Sequence, residues 1–188
     1  CTGGELAVAL AAKFPPERIE LHGNNKSIEE ITEAINCGVR YIVADSLIEI
    51  DRINAIAGKL GKRQSVLLRL TPGISAHTHE SIATAHEDVK FGFSIASGAA
   101  MLAAVAAANA EHISFEGVHC HIGSQIFDGA GFILAIERLI KFMADVQKSQ
   151  NIQLHHLNFG GEDEHVIDEA ESTIDIFKKF ININWFFM

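Results

Sequence analysis

Cysteine is scarce in this sequence: the three residues, Cys1, Cys37 and Cys120, are odd in number and widely spaced. That excludes a disulfide framework and a clustered zinc site, and fits free thiols in a reducing compartment, so a cytoplasmic location is expected. Positive charge is also short. Fifteen Lys+Arg against 24 Asp+Glu leave a net charge of −9, which excludes a nucleic-acid binder that works through a basic surface. Long apolar runs are missing. The longest, Ala99 to Ala108, is alanine-rich and stops at Asn109, well short of the roughly 20 residues that a membrane span requires. No G-x-G-x-x-G occurs, and Gly58-Lys59-Leu60-Gly61-Lys62 lacks Walker A spacing, which disfavours the common nucleotide-binding sheets. The chain opens at Cys1-Thr2 with neither an initiator Met nor a charged-then-apolar leader; the expectation is that the natural N-terminus lies further upstream. What is present, 48% hydrophobic and 21% charged residues, is the composition of a globular domain rather than of a disordered chain.

Two kinds of segment alternate. Short β-rich runs fall at Ile19–His22, Tyr41–Asp45, Val66–Leu70, Gly117–Ile122 and Leu154–Phe159. Stretches of helical period fall at Glu5–Lys13, Ser27–Asn36, Leu47–Leu60, Ser97–Asn109 and Phe132–Gln147, some opened by capping signals such as Ser27-Ile28-Glu29-Glu30. The order predicts a parallel sheet with helices outside it, either an open doubly wound sheet or a (β/α)8 barrel. Polar residues gather where the strands end, at His22 to Lys26, Asp45-Ser46, Arg69 to Gly73, His119 to Gln125 and Asn158 to Gly161. In a barrel that rim carries the chemistry. After Glu162 the pattern changes: residues 163–188 are acidic, then rich in Phe, Ile and Asn. The expected division is therefore a barrel part, 1–162, and a divergent tail, 163–188, read as a frameshift or mispredicted end.

The most informative stretch is His119-Cys120-His121-Ile122-Gly123-Ser124-Gln125. Alternation along a strand places His119 and His121 on one face with Gly117, and Val118, Cys120 and Ile122 on the other. Two imidazoles pointing inward admit three readings: a pair of zinc ligands, a ring stacked on a flat cofactor with Ser124 and nearby N–H groups holding an anion, or hydrogen-bonded core histidines. Gly160-Gly161 offers either backbone N–H groups for a phosphate or a plain turn. Arg69 lies on the inward face with Leu67 and Thr71, where a guanidinium needs an anionic partner, structural or bound. Lys26 has the residue type of a Schiff-base nucleophile but is read as opening the following helix. Ala76 to Val89, with His77, His79 and His86, is read as a lid or binding loop.

Taken together, Thr2-Gly3-Gly4-Glu5-Leu6, Phe14 to Ile19, His22-Gly23-Asn24-Asn25-Lys26-Ser27, Leu67 to Gly73, Lys90-Phe91-Gly92-Phe93 and His119 to Phe127 resemble the diaminopimelate decarboxylases, pyridoxal-phosphate enzymes of the alanine-racemase-like barrel family. The resemblance runs from residue 1 to about 161. It implies a partial (β/α)8 TIM barrel lacking the first strand region, the last strands and a C-terminal β-domain. It further implies pyridoxal 5′-phosphate as cofactor, a small amino acid as substrate, and a homodimer in the full-length parent. By motif, His121 would stack on the pyridine ring, Ser124, Gly160 and Gly161 would bind the phosphate, and Arg69 would lie near the cofactor. The family's Schiff-base lysine precedes the first matched motif, so no catalytic residue is expected in this chain and no activity from it alone. The third glycine of the family's run is replaced by Glu162. Two competing readings are a metal-dependent hydrolase barrel using His119 and His121, and a non-catalytic pyridoxal-phosphate-binding homologue.

Overall fold

The computed structural model describes residues 2–73, 91–121, 129–160 and 184–187, the last four, Gly160 and 129–132 as backbone only. Strand and helix alternate through it: α1 (Gly3–Ala11), a 3-10 turn at Pro16–Arg18, β1 (Glu20–Leu21), α2 (Ile28–Cys37), β2 (Tyr41–Ala44), α3 (Leu47–Lys59), β3 (Gln64–Thr71), β4 (Phe93–Ser94), α4 (Ala99–Asn109), β5 (Ile113–His121), α5 (Gly129–Gln150), β6 (His156–Gly160) and β7 (Asn184–Phe187). The seven strands form one sheet in the order β1-β2-β3-β5-β6-β7, with β4 paired to the end of β3, and every pairing is parallel. This is a partial (β/α) barrel, one of the two arrangements that the alternation predicts and the one that the family resemblance implies, rather than an open doubly wound sheet.

Local chemistry explains the elements. α2 opens with a complete capping box: Ser27 Oγ accepts from Glu30 N at 3.1 Å, and Glu30 Oε2 accepts from Ser27 N at 2.8 Å. Glu30 Oε1 also accepts from Gly3 N at 2.7 Å, tying the start of α1 to α2. α2 ends at Gly38, whose φ of +84° is the left-handed cap that halts a helix. Its apolar stripe, Ile31, Ala34 and Ile35, is buried against the sheet. The alanine-rich α4 buries Ala100, Ala103, Ala104 and Ala107 at i, i+3, i+4 and i+7, small residues that bring it close to the strands.

The sheet has two apolar faces of different size. Helix-facing residues such as Ile42, Val66, Leu68, Val118 and Cys120 belong to the main core. Tyr41, Val43 and Leu67 form a small separate cluster on the concave face. The sheet curls enough for Asn158 on β6 to reach Glu20 on β1, donating from Nδ2 to Oε2 at 2.6 Å.

Three departures from the sequence reading have physical causes. β4 is only two residues long, too short to show a period. β5 begins at Ile113, four residues before the expected run, and carries a bulge: Val66 pairs with Phe115 and Leu67 with Gly117, leaving Glu116 as the extra residue. The segment set apart on composition contributes β7, whose Asn184 to Phe187 align with His156 to Phe159.

Candidate cofactor site

The bulge sets up the concave face. Alternation already carries Glu116 inward, where the carboxylate accepts from Tyr41 Oη at 3.1 Å and from Ser65 Oγ, and lies 3.5 Å from His156 Nε2, and the bulge puts Gly117 beside it. Gly117 then permits a close approach, since a Cβ there would overlap the carbonyl of His156 on β6. From this point the strand regains its alternation, sending Val118 and Cys120 to the helices and His119 inward. The expected division of the His-x-His stretch is therefore what the described residues show. Burial raises the Cys120 thiol to about 12, so it is an inert packing residue.

Toward the carboxyl ends of the strands the concave face becomes polar. His119 is buried and meets His22, just after β1, in an edge contact with ring centroids 4.6 Å apart. Burial holds His119 well below the ordinary imidazole range, and the neighbouring His22, Arg69 and His121 push it the same way. It is a neutral ring. His22 Nε2 lies 3.5 Å from Glu20, the carboxylate that also accepts from Asn158. Among the described residues His22 Nε2, His119 Nδ1 and Asn158 Oδ1 are buried with no hydrogen-bond partner, which marks this face as built for polar company.

His121, the last residue of β5, is exposed, and its strand partner is Gly160, the last residue of β6. The residue expected to stack on a cofactor ring and one expected to hold its phosphate are thus adjacent across one ladder, about 4.8 Å apart by the spacing of neighbouring strands. Arg69 sits on β3, paired in register with His119. Its Nη1 is 3.4 Å from Asp45 Oδ1, and its guanidinium lies 4.8 Å over the ring of Phe91. Gly92, at φ +75°, passes so close to the Arg69 carbonyl that a Cβ would come within 2.6 Å of it. Phe91-Gly92-Phe93 is thereby pinned beside Arg69. Ser124, Gly161, Glu162 and the histidine-bearing loop at 76–89 lie outside the described residues.

Lys26 is where the sequence reading needs correction. Ser27, not Lys26, caps α2; the lysine side chain is turned into the wall of the sheet, 1% exposed. Its Nζ donates to Gly23 O at 2.5 Å and Val43 O at 2.7 Å, and sits 2.9 Å from Glu49 Oε2. The cause is an acidic partner that spacing alone assigns elsewhere. Ser46-x-x-Glu49 has capping-box spacing, yet the Glu49 carboxylate accepts from Asp45 N at 2.8 Å and pairs with Lys26. Glu116 was equally legible, in the alternation Ile113-Ser114-Phe115-Glu116. Among the described residues no group of three or more His, Cys, Asp or Glu is placed to hold a metal ion, so the zinc reading of His119 and His121 gains no third ligand there.

A family model for the pyridoxal binding domain of pyridoxal-dependent decarboxylases matches residues 1–182. The chain belongs to the pyridoxal-dependent decarboxylases. Among members of that family, diaminopimelate decarboxylase of Mycobacterium tuberculosis is 61% identical over 146 residues, covering 78% of this chain and 33% of the relative. The Bacillus subtilis protein of the same name is 43% identical over 188 residues, covering 95% and 43%. The chain thus spans well under half the length of these curated relatives. A crystal structure of diaminopimelate decarboxylase from M. jannaschii, in co-complex with L-lysine, superimposes with a TM-score of 0.87 at 31% identity, over 99% of this chain and 46% of that one. The pyridoxal-dependent decarboxylase match extends past residue 162, so the resemblance is not confined to the part that sequence motifs alone delimit.

Proposed function

We propose that this chain is the cofactor-binding part of a diaminopimelate decarboxylase, the carboxy-lyase that converts meso-2,6-diaminopimelate to L-lysine in lysine biosynthesis. The observation that carries the reading is the adjacency of His121 and Gly160 at the ends of β5 and β6, with Arg69 on β3, in a chain 61% identical to a protein of that name. The residues fit pyridoxal 5′-phosphate. The exposed His121 imidazole offers a flat face to the ring; Gly160, with Gly161 and Ser124, offers backbone and hydroxyl donors to the phosphate; Arg69 adds positive charge. The unpartnered polar atoms of His22, His119 and Asn158 supply further polar contacts. When bound, the cofactor acts as an electron sink for the carbon that loses carbon dioxide.

The chain's own groups orient that ring and neutralise its anion. His119 is neutral and so would add no charge to the site, and Tyr41, Val43 and Leu67 would give it an apolar wall on the concave face. Cofactor binding is assigned to residues 1–162, while residues 163–188 contribute β7 and no assigned ligand. The covalent lysine is not assigned to Lys26, whose ammonium is fully engaged. In this reading the full-length parent works as a cytoplasmic homodimer on a small amino-acid substrate.

Titrating pyridoxal phosphate into the purified protein, followed by cofactor absorbance, tests the proposal. Saturable binding that Arg69→Met weakens is the expected result. Absence of binding, or near-stoichiometric zinc in the protein as purified, would overturn it.

A further inference from the structure

Four charged side chains form a continuous, charge-balanced chain at the strand ends, and only the last of them belongs to the cofactor site assigned above. Lys26 Nζ pairs with Glu49 at 2.9 Å. Glu49 accepts from the backbone N–H of Asp45 at 2.8 Å and from that of Lys26 at 3.4 Å. Asp45 then presents its carboxylate to Arg69 at 3.4 Å. The side chains of Lys26, Glu49 and Asp45 are 1%, 3% and 7% exposed, against 21% for Arg69, so burial decreases steadily toward the mouth.

Stability is a weak explanation for such a chain. A buried ion pair offsets most of its Coulombic gain by the desolvation of both charges, and burial lowers the Lys26 pKa even though Glu49 and Asp45 oppose the shift. What the chain does is geometric. The ammonium also holds the carbonyls of Gly23, after β1, and Val43, on β2. It therefore fixes two strand ends and the first turn of α3 relative to one another. The N–H of Asp45 is held by the same carboxylate that holds Lys26, so the aspartate beside Arg69 has little freedom of its own.

Resting on the cofactor reading above, we propose that Lys26, Glu49 and Asp45 are positioning residues that set the Arg69 guanidinium at the pyridoxal phosphate site. Lys26 acts through Glu49, Glu49 through Asp45, and Asp45 on Arg69. None of the three needs to touch the cofactor.

The test uses the full chain, pyridoxal phosphate as probe, and three readouts: cofactor affinity, induced circular dichroism in the cofactor band, and the melting temperature. Arg69→Met sets the scale of the loss. The double variant Lys26→Met/Glu49→Leu removes both buried charges together, leaving neither unpaired, and is expected to melt close to the parent. It should bind pyridoxal phosphate about tenfold more weakly, a factor matching the loss of one charge-assisted contact, with a reduced induced signal. Asp45→Asn, nearly isosteric, should reproduce both changes, and it keeps the test decisive should the double variant fail to fold. Lys26→Arg should recover part of the affinity. A folded double variant or Asp45→Asn variant with parental affinity and parental induced signal sinks the proposal, as does an Arg69→Met variant that binds normally. If the parent chain itself takes up no cofactor, the cofactor reading falls and this inference with it; if the parent binds and only the relay variants are silent, the relay alone is wrong.

Discussion

His119 and His121 stand two residues apart on one strand, yet their surroundings differ sharply. His119 is buried against His22 and kept neutral, whereas His121 is exposed beside Gly160. A ring that stacks on a cofactor must be accessible, so His121→Ala is expected to weaken pyridoxal phosphate binding more than His119→Ala. Equal losses, or a greater loss for His119→Ala, in paired titrations would revive the metal reading. The buried rings also give the fold a pH dependence of definite sign. His119 and His156 both have folded pKa values lowered by burial, while an unfolded imidazole titrates near 6.5. In the window between those values the unfolded chain binds more protons, so stability is full above about pH 6.5 and falls as the pH is lowered through it. Melting temperatures at about pH 7.5, 6.5 and 5.5, steps across that window, measured with and without His119→Asn, should show a decline that the variant flattens. At Gly117 the constraint is steric. Gly117→Ala places a methyl group on the His156 carbonyl and is expected to cost about 3 kcal/mol, the upper end for overpacking, in a denaturant titration.

At the level of elements, legibility followed period and capping. α2 could be read from Ser27-x-x-Glu30 and its Ile31-Ala34-Ile35 stripe, and the capping box is present in full. Ser27→Ala should cost about 1 kcal/mol, and Glu30→Ala more, because Glu30 also holds Gly3 N; thermal melts of the two variants check the order. The same four-residue spacing recurs at Ser46-x-x-Glu49, where Ser46 Oγ accepts from Glu49 N at 3.3 Å but the Glu49 carboxylate turns to Asp45 N and Lys26 instead. There a buried ammonium 23 residues away competes for the carboxylate, and spacing carries no information about a partner so distant in sequence. β4 was invisible for another reason: two residues cannot display a period of two, and Phe93-Ser94 is held by pairing with Leu70-Thr71 rather than by its own pattern. The strand-end positions of His121, Gly160 and Arg69 were legible because strand ends are marked by polar residues. The engagement of Lys26 was not, since it depends on a partner 23 residues away on α3; Glu116 lies before the expected run from Gly117, although the alternation from Ile113 carries it inward.

For the whole molecule, one property of the sheet has a kinetic meaning. Apart from β4, the spatial order of the strands is their order along the chain, β1 beside β2, β2 beside β3, and so on to β7. No strand has to wait for a distant later segment before it finds its neighbour, and none must be inserted between two already joined. As the polypeptide leaves the ribosome, N-terminal end first, each new strand-and-helix unit can dock on the edge left by its predecessor, so that the growing chain extends an existing template. The edge that most needs protection during synthesis is then always the most recently made one. Among the described residues α2, α3 and α5 follow directly on β1, β2 and β5, so the apolar cover for those strands arrives from the ribosome almost as soon as the strands themselves.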